Sequence, residues 1–316
     1  MMKLRFKLVK DKTDIHFMGI HKLCLALSAL MMAAAVVLLF TKGLNLGIDF
    51  TGGILMEVKK PDAMHIADIR AKLETLSTGH PTIQEFGQDE VLIKIPGHEA
   101  NSEEQKALRS EVQNLLGAEV EFRRVEYVGP QVGQELMMTG IQAFIWSMVG
   151  IMLFIWVQYE WQFGITAILS LAHDVCATLL FFILTGIEFD LATVAAVLLV
   201  AGYSINDTVV VFDRIRETLR KYRKMPLDQL FNLAINETLS RTLMTSLMTI
   251  IAIGALAIFG SQVIKGFTYA LLAGILVGTY SSIFVASPLL LYMNVRSSTV
   301  KGDKEEDGTT LAAQES

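Results

Sequence analysis

Residues 191–212 have the sequence LATVAAVLLVAGYSINDTVVVF. A helix needs about 20 predominantly apolar residues to cross a bilayer, and this run has that length. Its only charged side chain is Asp207. Carboxylates inside a membrane are rare and costly, so they mark functional positions. The run therefore predicts a transmembrane helix that carries one functional carboxylate.

Five further apolar runs of this kind occupy residues 23–40, 138–157, 163–185, 243–260 and 267–293. Of the 316 residues, 52% are hydrophobic and only 19% are charged, and the mean hydropathy is +0.46. This composition excludes a wholly soluble protein. A cleaved secretory signal is the weaker interpretation of residues 23–40, because a long leader precedes them and Ala33–Ala35 lie inside the run. We predict a polytopic α-helical membrane protein with six transmembrane helices.

The composition also excludes several classes of function. With 27 basic and 32 acidic residues the net charge is −5, which argues against a nucleic-acid partner. Cys24 and Cys176 lie in separate apolar runs, so we expect free thiols and no metal cluster. The absence of a Gly-x-x-x-x-Gly-Lys-Ser/Thr loop excludes a nucleotide-driven pump. We predict no catalytic residue, no metal and no cofactor.

Two polar segments are rich in lysine and arginine. They are the N-terminal arm, with Lys3, Arg5, Lys7, Lys10, Lys12 and Lys22, and the segment 213–242, with Arg214, Arg216, Arg220, Lys221, Arg223, Lys224 and Arg241. The positive-inside rule places both in the cytoplasm. The predicted layout is therefore a cytoplasmic arm (1–22), a first span (23–40), an external segment (41–137), a five-helix bundle (138–293) and a disordered cytoplasmic tail (294–316). Segment 213–242 is expected to form an amphipathic helix pair at the membrane surface.

The external segment 41–137 has the pattern of a small α+β domain. Strands are predicted at 53–58, 82–86, 91–95 and 120–127, and helices with apolar faces follow the first and third strands. This β-α-β-β-α-β order is that of a ferredoxin-like domain, with two helices on one face of a four-stranded antiparallel sheet. It contains no catalytic signature.

Four ionisable residues in or beside the predicted spans are candidate functional residues: His173, Asp174, Asp207 and Arg241. Arg241 stands just before the fifth span, and its long side chain suggests an ion pair with Asp207. A carboxylate near an arginine that moves has a variable proton affinity, which suits a proton carrier. Sodium is the alternative ion, since Ser204, Asn206 and Thr208 offer further oxygens. The plainer interpretation makes His173 and Asp174 a helix-packing pair and Arg241 a topological anchor.

Small residues recur every four positions in the sixth span. They are Ala270, Gly274, Gly278, Ser282 and Ala286. Such a stripe lets another helix approach closely. The sequence leaves open whether that helix belongs to this chain.

Five motifs together resemble the SecF members of the SecD/SecF family of bacterial protein-export membrane proteins, from about residue 20 to 295. They are Gly47–Gly53 (GIDFTGG), Val128–Gly133 (VGPQVG), Ala172–Asp174 (AHD), Gly202–Glu217 (GYSINDTVVVFDRIRE) and Arg241–Ser246 (RTLMTS). The motif positions carried over are Asp49, Phe50, Gly52, Gly53, Gly129, Pro130, Gly202 and Asn206. Asp207 matches the coupling carboxylate of the family and Arg241 its membrane arginine, while His173 and Asp174 match a motif of less settled role.

The resemblance implies a member of the resistance-nodulation-division superfamily in the bacterial inner membrane. It implies that the chain works with SecD, which contributes another six spans, beside the SecYEG translocon and a YajC-like accessory subunit. In such a complex the proton or sodium motive force drives external domains, which assist late steps in the translocation of an unfolded polypeptide. The resemblance places both termini in the cytoplasm and the external domain in the periplasm.

Three other functions are less consistent with these residues. An intramembrane protease fits poorly, since Asp207 lacks a preceding Gly-x-Gly, Ser204 lacks a following glycine, and the depths estimated for Asp174 and Asp207 differ by about 8 Å at the helical rise. A small-molecule or lipid exporter of the same superfamily is the main alternative, although such relatives carry larger external domains. A passive assembly factor would not need Asp207.

Overall fold

The computed structural model describes residues 13–61, 64–76, 81–86, 89–96, 102–117, 120–260, 264–293 and 295. The predicted N-terminal arm before Thr13 and the predicted tail after Val295 lie outside these residues.

Within the described residues, six helices are long and apolar enough to cross a membrane, as predicted. In chain order the helices are α1 (His21–Thr41), α2 (Ile48–Thr51), α3 (Ile66–Leu73), α4 (Ser102–Leu116), α5 (Pro130–Gln158), α6 (Trp161–Thr185), α7 (Leu191–Lys221), α8 (Leu227–Phe259), α9 (Lys265–Ser281) and α10 (Ser287–Leu291). A π-helical segment, Ser282–Ala286, joins α9 and α10 into one span. The spans are thus α1, α5, α6, α7, α8 and α9–α10.

Three spans extend beyond the apolar runs. Helix α5 starts at Pro130 and not near residue 138, because proline is well suited to the first helical turn. Segment 213–242, expected to be a separate helix pair, consists of the ends of α7 and α8, with a turn between Lys221 and Leu227. Charged residues such as Arg, Lys and Glu are good helix formers, so the helices continue where the apolar run stops.

The segment between α1 and α5 forms an antiparallel sheet covered by α3 and α4. Its strands are β1 (Gly53–Lys59), β2 (Thr82–Phe86), β3 (Glu90–Pro96) and β4 (Glu121–Val128), in the order β2-β3-β1-β4. Central strand β1 pairs with β3 and with β4, Gly53 lying opposite Pro96 and Val128. Ile69 and Leu73 of α3 and Leu108 and Val112 of α4 are buried against the sheet. The apolar spacing predicted from the sequence thus forms the core of this domain.

The domain rests on one end of the bundle, called here the domain end. Gly47 N–H donates to the Phe189 carbonyl (2.9 Å), and Lys94 of β3 lies 3.7 Å from Glu188 in the α6–α7 loop. A crevice of about 630 Å³ separates the sheet from this loop and the start of α9. Burial in the crevice raises the pKa of Glu188, although the charge of Lys94 opposes the shift.

Helices α7 and α9 approach very closely. A Cβ added to Gly274 would lie 2.3 Å from the Val200 side chain, and one added to Gly278 would lie 2.9 Å from Ser204 Cβ. The other small residues of the stripe, Ala270, Ser282 and Ala286, are buried. The partner of the small-residue stripe is therefore α7 of the same chain.

The end of the bundle away from the domain, the opposite end, holds the chain before α1. The Asn236 side chain of α8 accepts from Ile15 N–H (3.0 Å) and donates to the Ile15 carbonyl (2.9 Å). Phe17 and Met18 are buried in the apolar cluster at this end. These contacts fix the start of the described chain onto α8.

Candidate functional site

Asp174 lies in the middle of α6 and is completely buried. His173 Nδ1 lies 2.9 Å from one carboxylate oxygen. The other oxygen accepts hydrogen bonds from the hydroxyls of Ser204 on α7 and Ser281 on α9, the latter at 2.8 Å. Three helices thus converge on one carboxylate, which meets the requirement that a polar group within a membrane be paired.

The close packing of α7 and α9 makes this arrangement sterically feasible. Ser204 and Ser281 reach the same oxygen of Asp174. Gly278, one turn before Ser281, lets α9 contact Ser204 directly. A bulkier residue in the stripe would separate the two hydroxyls.

Asp207 lies on α7, one turn from Ser204, and is only 2% exposed. Its carboxylate accepts a long hydrogen bond (3.4 Å) from Ser246 on α8, and Ser246 lies 2.7 Å from the hydroxyl of Thr279 on α9. Asp207 therefore has fewer and weaker partners than Asp174. Ser204 and Asp207 are three residues apart, about 4.5 Å along the axis, which places the two carboxylates in neighbouring polar layers.

The suggested ion pair between Asp207 and Arg241 is not formed. Arg241 lies within α8, on its exposed face, and Ser246 is the hydrogen-bond partner of Asp207. The guanidinium is close enough to act on Asp207 electrostatically without contacting it. Helix α8 starts at Leu227, so Arg241 belongs to the same rigid helix as Ser246 and not to a flexible segment before it.

The two glycine-rich motifs meet at the joint between the domain and α5. Gly52 has a φ of +66°, and a Cβ there would lie 2.7 Å from Pro130 Cα. Gly53 starts β1, and Gly129 is the N-cap of α5. Phe50 is buried at this joint.

Asp49 and Asp190 bind the start of α7. Asp49 accepts from the Leu191 N–H (2.9 Å), and Asp190 accepts from Thr193 N–H (2.7 Å). Asp190 thus caps α7, and Asp49, a motif position, connects the domain to the helix that carries Asp207.

Gly202 and Asn206 belong to a different surface. Both lie on the exposed side of α7, as Arg241 does on α8. Tyr203 connects the two helices, donating to the Thr245 carbonyl at 3.0 Å. Two polar side chains, Asn206 and Arg241, are thus presented outward from the bundle.

Ser281, Ser246 and Thr279 were not predicted as partners of the carboxylates. One signal is present, since Thr279-Tyr280-Ser281-Ser282 is a polar cluster inside an apolar span. Serine and threonine within helices commonly bond their own backbone, so sequence alone does not distinguish the hydroxyls that contact Asp174 and Asp207.

The geometry does not support a serine protease. Ser204 donates to Asp174 and not to His173, so this serine and this histidine are not paired as nucleophile and base. Asp174 and Asp207 accept from different hydroxyls and share no hydrogen bond. Within the described residues, no three His, Cys, Asp or Glu side chains are grouped as a metal site.

Comparison with known proteins identifies the family. Residues 108–296 match "Protein export membrane protein SecD/SecF, C-terminal", and residues 37–59 match "SecD/SecF GG Motif". The chain is 41% identical to the protein translocase subunit SecF of Cereibacter sphaeroides, covering 98% of this chain and 99% of that one. It is 43% identical to the same subunit of Desulfurispirillum indicum, covering 93% and 95%.

Solved structures support the same family assignment. The crystal structure of SecDF from Thermus thermophilus, described as a translocon-associated membrane protein, superposes with a TM-score of 0.82 at 36% identity over 90% of this chain. A SecDF structure in a super-membrane-facing form superposes with a TM-score of 0.68 at 36% identity. The chain spans 39% and 41% of those two SecDF chains. It is a multi-pass membrane protein of the Sec pathway and belongs to the SecF family of protein translocase subunits.

Proposed function

We propose that this chain, together with a SecD partner, couples ion movement through the membrane to late steps of polypeptide translocation. It would act as an ion-driven accessory of translocation and not as an enzyme. The observation that carries the proposal is the pair of buried carboxylates, Asp174 on α6 and Asp207 on α7, held by hydroxyls from α7, α8 and α9. Intramembrane carboxylates in such surroundings mark ion paths.

Asp207 is the better candidate for the exchanging group. Its one long hydrogen bond leaves the carboxylate free to gain a proton or to bind a sodium ion. Arg241 is positioned to influence that charge from the next helix. Asp174, held by three donors, would position α6, α7 and α9 around the exchanging site.

The energy available limits the mechanism. One charge crossing 100 mV supplies about 2.3 kcal/mol. Switching a conformational equilibrium from 1:99 to 99:1 needs about 5.5 kcal/mol. A full switch therefore requires several ions per cycle or an added concentration gradient, whereas a single ion suffices for a smaller population shift.

The outward polar side chains support a partner in the membrane. Asn206 and Arg241 are exposed on neighbouring helices, and lipid would leave both without hydrogen bonds. We assign this face to SecD. The complex would act beside SecYEG with a YajC-like subunit and contact the emerging unfolded polypeptide through the external domain.

The proposed location is the bacterial inner membrane. The opposite end, which carries the basic ends of α7 and α8, would face the cytoplasm together with both termini. The domain end would then face the periplasm.

The coupling role of Asp207 is tested by the export of a secretory precursor. The cells are depleted of this chain and complemented with variants. Wild type and the control Glu217→Gln, which removes an exposed carboxylate from the same helix, should clear a secretory precursor. Asp207→Asn should let the precursor accumulate at equal membrane levels. Equal clearance by Asp207→Asn would refute ion coupling through Asp207.

Copurification tests the partner. The wild-type chain should copurify with a second six-span protein of the SecD type, and Arg241→Leu combined with Asn206→Leu should weaken that association. A monomer with full export activity would contradict the assignment of this face.

A further inference from the structure

Five buried side-chain atoms in the described part of the chain have no hydrogen-bond partner within the protein. They are Glu160 Oε2, Gln162 Oε1, Ser170 Oγ, Thr208 Oγ1 and Arg216 Nε. All five belong to α6, to its N-cap residue or to α7. Gln162, Ser170 and Thr208 are at most 5% exposed. Buried polar atoms are normally paired, so a concentration of unpaired atoms along one helix pair requires an explanation.

These atoms follow one line along the two helices. Ser170 lies one turn before Asp174 on the same face of α6, and Gln162 lies about two turns further toward the opposite end. Asp174 contacts Ser204 of the antiparallel helix α7, so Thr208, one turn after Ser204, lies at the level of Ser170. The line runs from Asp174 to the opposite end, about 18 Å at the helical rise.

The two hydroxyls do not use the acceptor that their own helices offer. Thr166 and Thr178 on α6 and Thr218 on α7 donate to the carbonyl four residues earlier. Ser170 and Thr208 occupy comparable buried positions and make no such bond. Their hydroxyls are therefore available to a small polar ligand between the helices.

An aromatic pair interrupts the line. Phe163 of α6 and Phe212 of α7 pack edge to face at 5.2 Å, and both are fully buried. Phe212 lies one turn beyond Thr208, so the pair separates Ser170 and Thr208 from Glu160 and Arg216. The latter two form an ion pair between Glu160 Oε1 and Arg216 Nε (3.4 Å) at the opposite end, outside hydrogen-bond geometry.

We propose that the seam between α6 and α7 is a water path from the opposite end of the bundle to Asp174, gated by Phe163 and Phe212. Water molecules satisfy unpaired buried polar atoms, and apolar constrictions gate such paths by dewetting. The role of the path in supplying ions to the site rests on the proposed ion coupling, whereas its hydration does not.

Thiol accessibility tests the hydration. In a Cys24→Ala, Cys176→Ala background, Ser170→Cys and Thr208→Cys are compared with Ile183→Cys, a buried position beyond Asp174 on the other face of α6. Silver ion is applied to membrane vesicles with the opposite end exposed, the chain being in its native complex. Both cysteines on the path should react at least tenfold faster than Cys at 183.

Opening the gate provides the second measurement. Phe212→Ala, with Phe212→Leu as the milder variant, should increase the reaction of Cys at 170 and leave Cys at 183 unchanged. Equal reactivity at 170, 208 and 183 in both gate backgrounds, at normal membrane levels, would overturn the water path.

Proton uptake by the reconstituted complex tests the role of the path. Thr208→Val should slow uptake several-fold, while Thr208→Ser and the control Thr178→Val should retain it. Reactive cysteines with unchanged uptake in Thr208→Val would overturn the ion-supply role alone. Absence of proton uptake in wild type would refute the proposed proton coupling. The reactivity of the cysteines would then be the test of the water path.

Discussion

At the scale of single residues, the two buried carboxylates differ in how firmly they are held. Asp174 is contacted by His173, Ser204 and Ser281, and each contact comes from a group that is itself buried. Asp207 has a single long contact with Ser246. This difference favours a positioning role for the first carboxylate and an exchanging role for the second.

Ser281→Ala should lower the stability of the protein by about 1 kcal/mol, the size of an interhelical hydrogen bond in a membrane. The reason is that Asp174 loses one of its donors while remaining buried. Ser282→Ala is the matched control, because the Ser282 hydroxyl donates to the Thr279 carbonyl of the same span. Thermal unfolding of the purified protein in detergent measures both, and equal shifts would contradict the prediction.

At the scale of elements, close approach of backbones decides how the helices assemble. Gly274 and Gly278 bring α9 against α7, and Gly52 brings the domain joint against the start of α5. Such contacts have no room for a side chain, so each glycine determines the position of a whole element.

Gly274→Ala should destabilise the bundle by about 1–3 kcal/mol, as overpacked cores do. The added methyl group would lie within 2.5 Å of both Val200 methyl groups. Val200→Ala in the same chain should restore part of the loss. Gly254→Ala on α8, where nothing lies within 4 Å, should be neutral. Unfolding midpoints of the wild type and the three variants measure this, and an unaltered midpoint for Gly274→Ala would refute the close approach.

Gly52→Ala should loosen the domain joint more than Gly43→Ala does. Both glycines have φ near +70°, so an alanine is strained at either position, but only at Gly52 would the Cβ also meet backbone atoms of Pro130. The difference between the two variants therefore isolates the contact. Limited proteolysis of membranes measures domain release, and equal cleavage rates would show that strain alone matters.

At the scale of the whole molecule, the external domain is mechanically connected to the helix that carries the proposed ion site. Asp49, beside the domain joint, binds the start of α7, and the same helix carries Ser204 and Asp207. A shift of α7 caused by a change of charge at Asp207 would therefore reach the domain through a single rigid helix. Lys94 and Glu188 form a second contact at the domain end.

The contact at Glu188 should make stability depend on pH. Burial raises the pKa of this carboxyl above its ordinary 4.5, so the folded protein binds more protons than the unfolded chain between 4.5 and the raised value. The stabilisation from the protonated carboxyl is complete below 4.5 and is lost as pH rises through the raised pKa. Glu188→Gln should make the decrease in stability with rising pH smaller.

Unfolding midpoints measured from pH 4.5 to 7 check this expectation. Glu74→Gln, at an exposed position of the domain, is the control and should follow the wild-type curve. A Glu188→Gln curve parallel to wild type would show that this carboxyl does not contribute to the dependence.

The sequence by itself determined the membrane class, the six spans, the order of elements in the external domain and the positions of Asp174 and Asp207. These follow from local patterns, namely run length, apolar spacing and a charge in an apolar run. Only the tertiary structure decided which hydroxyls hold each carboxylate, that Arg241 is directed outward, and that α7 packs on the small-residue stripe. Those contacts join residues up to 107 positions apart, and their geometry depends on how whole helices pack.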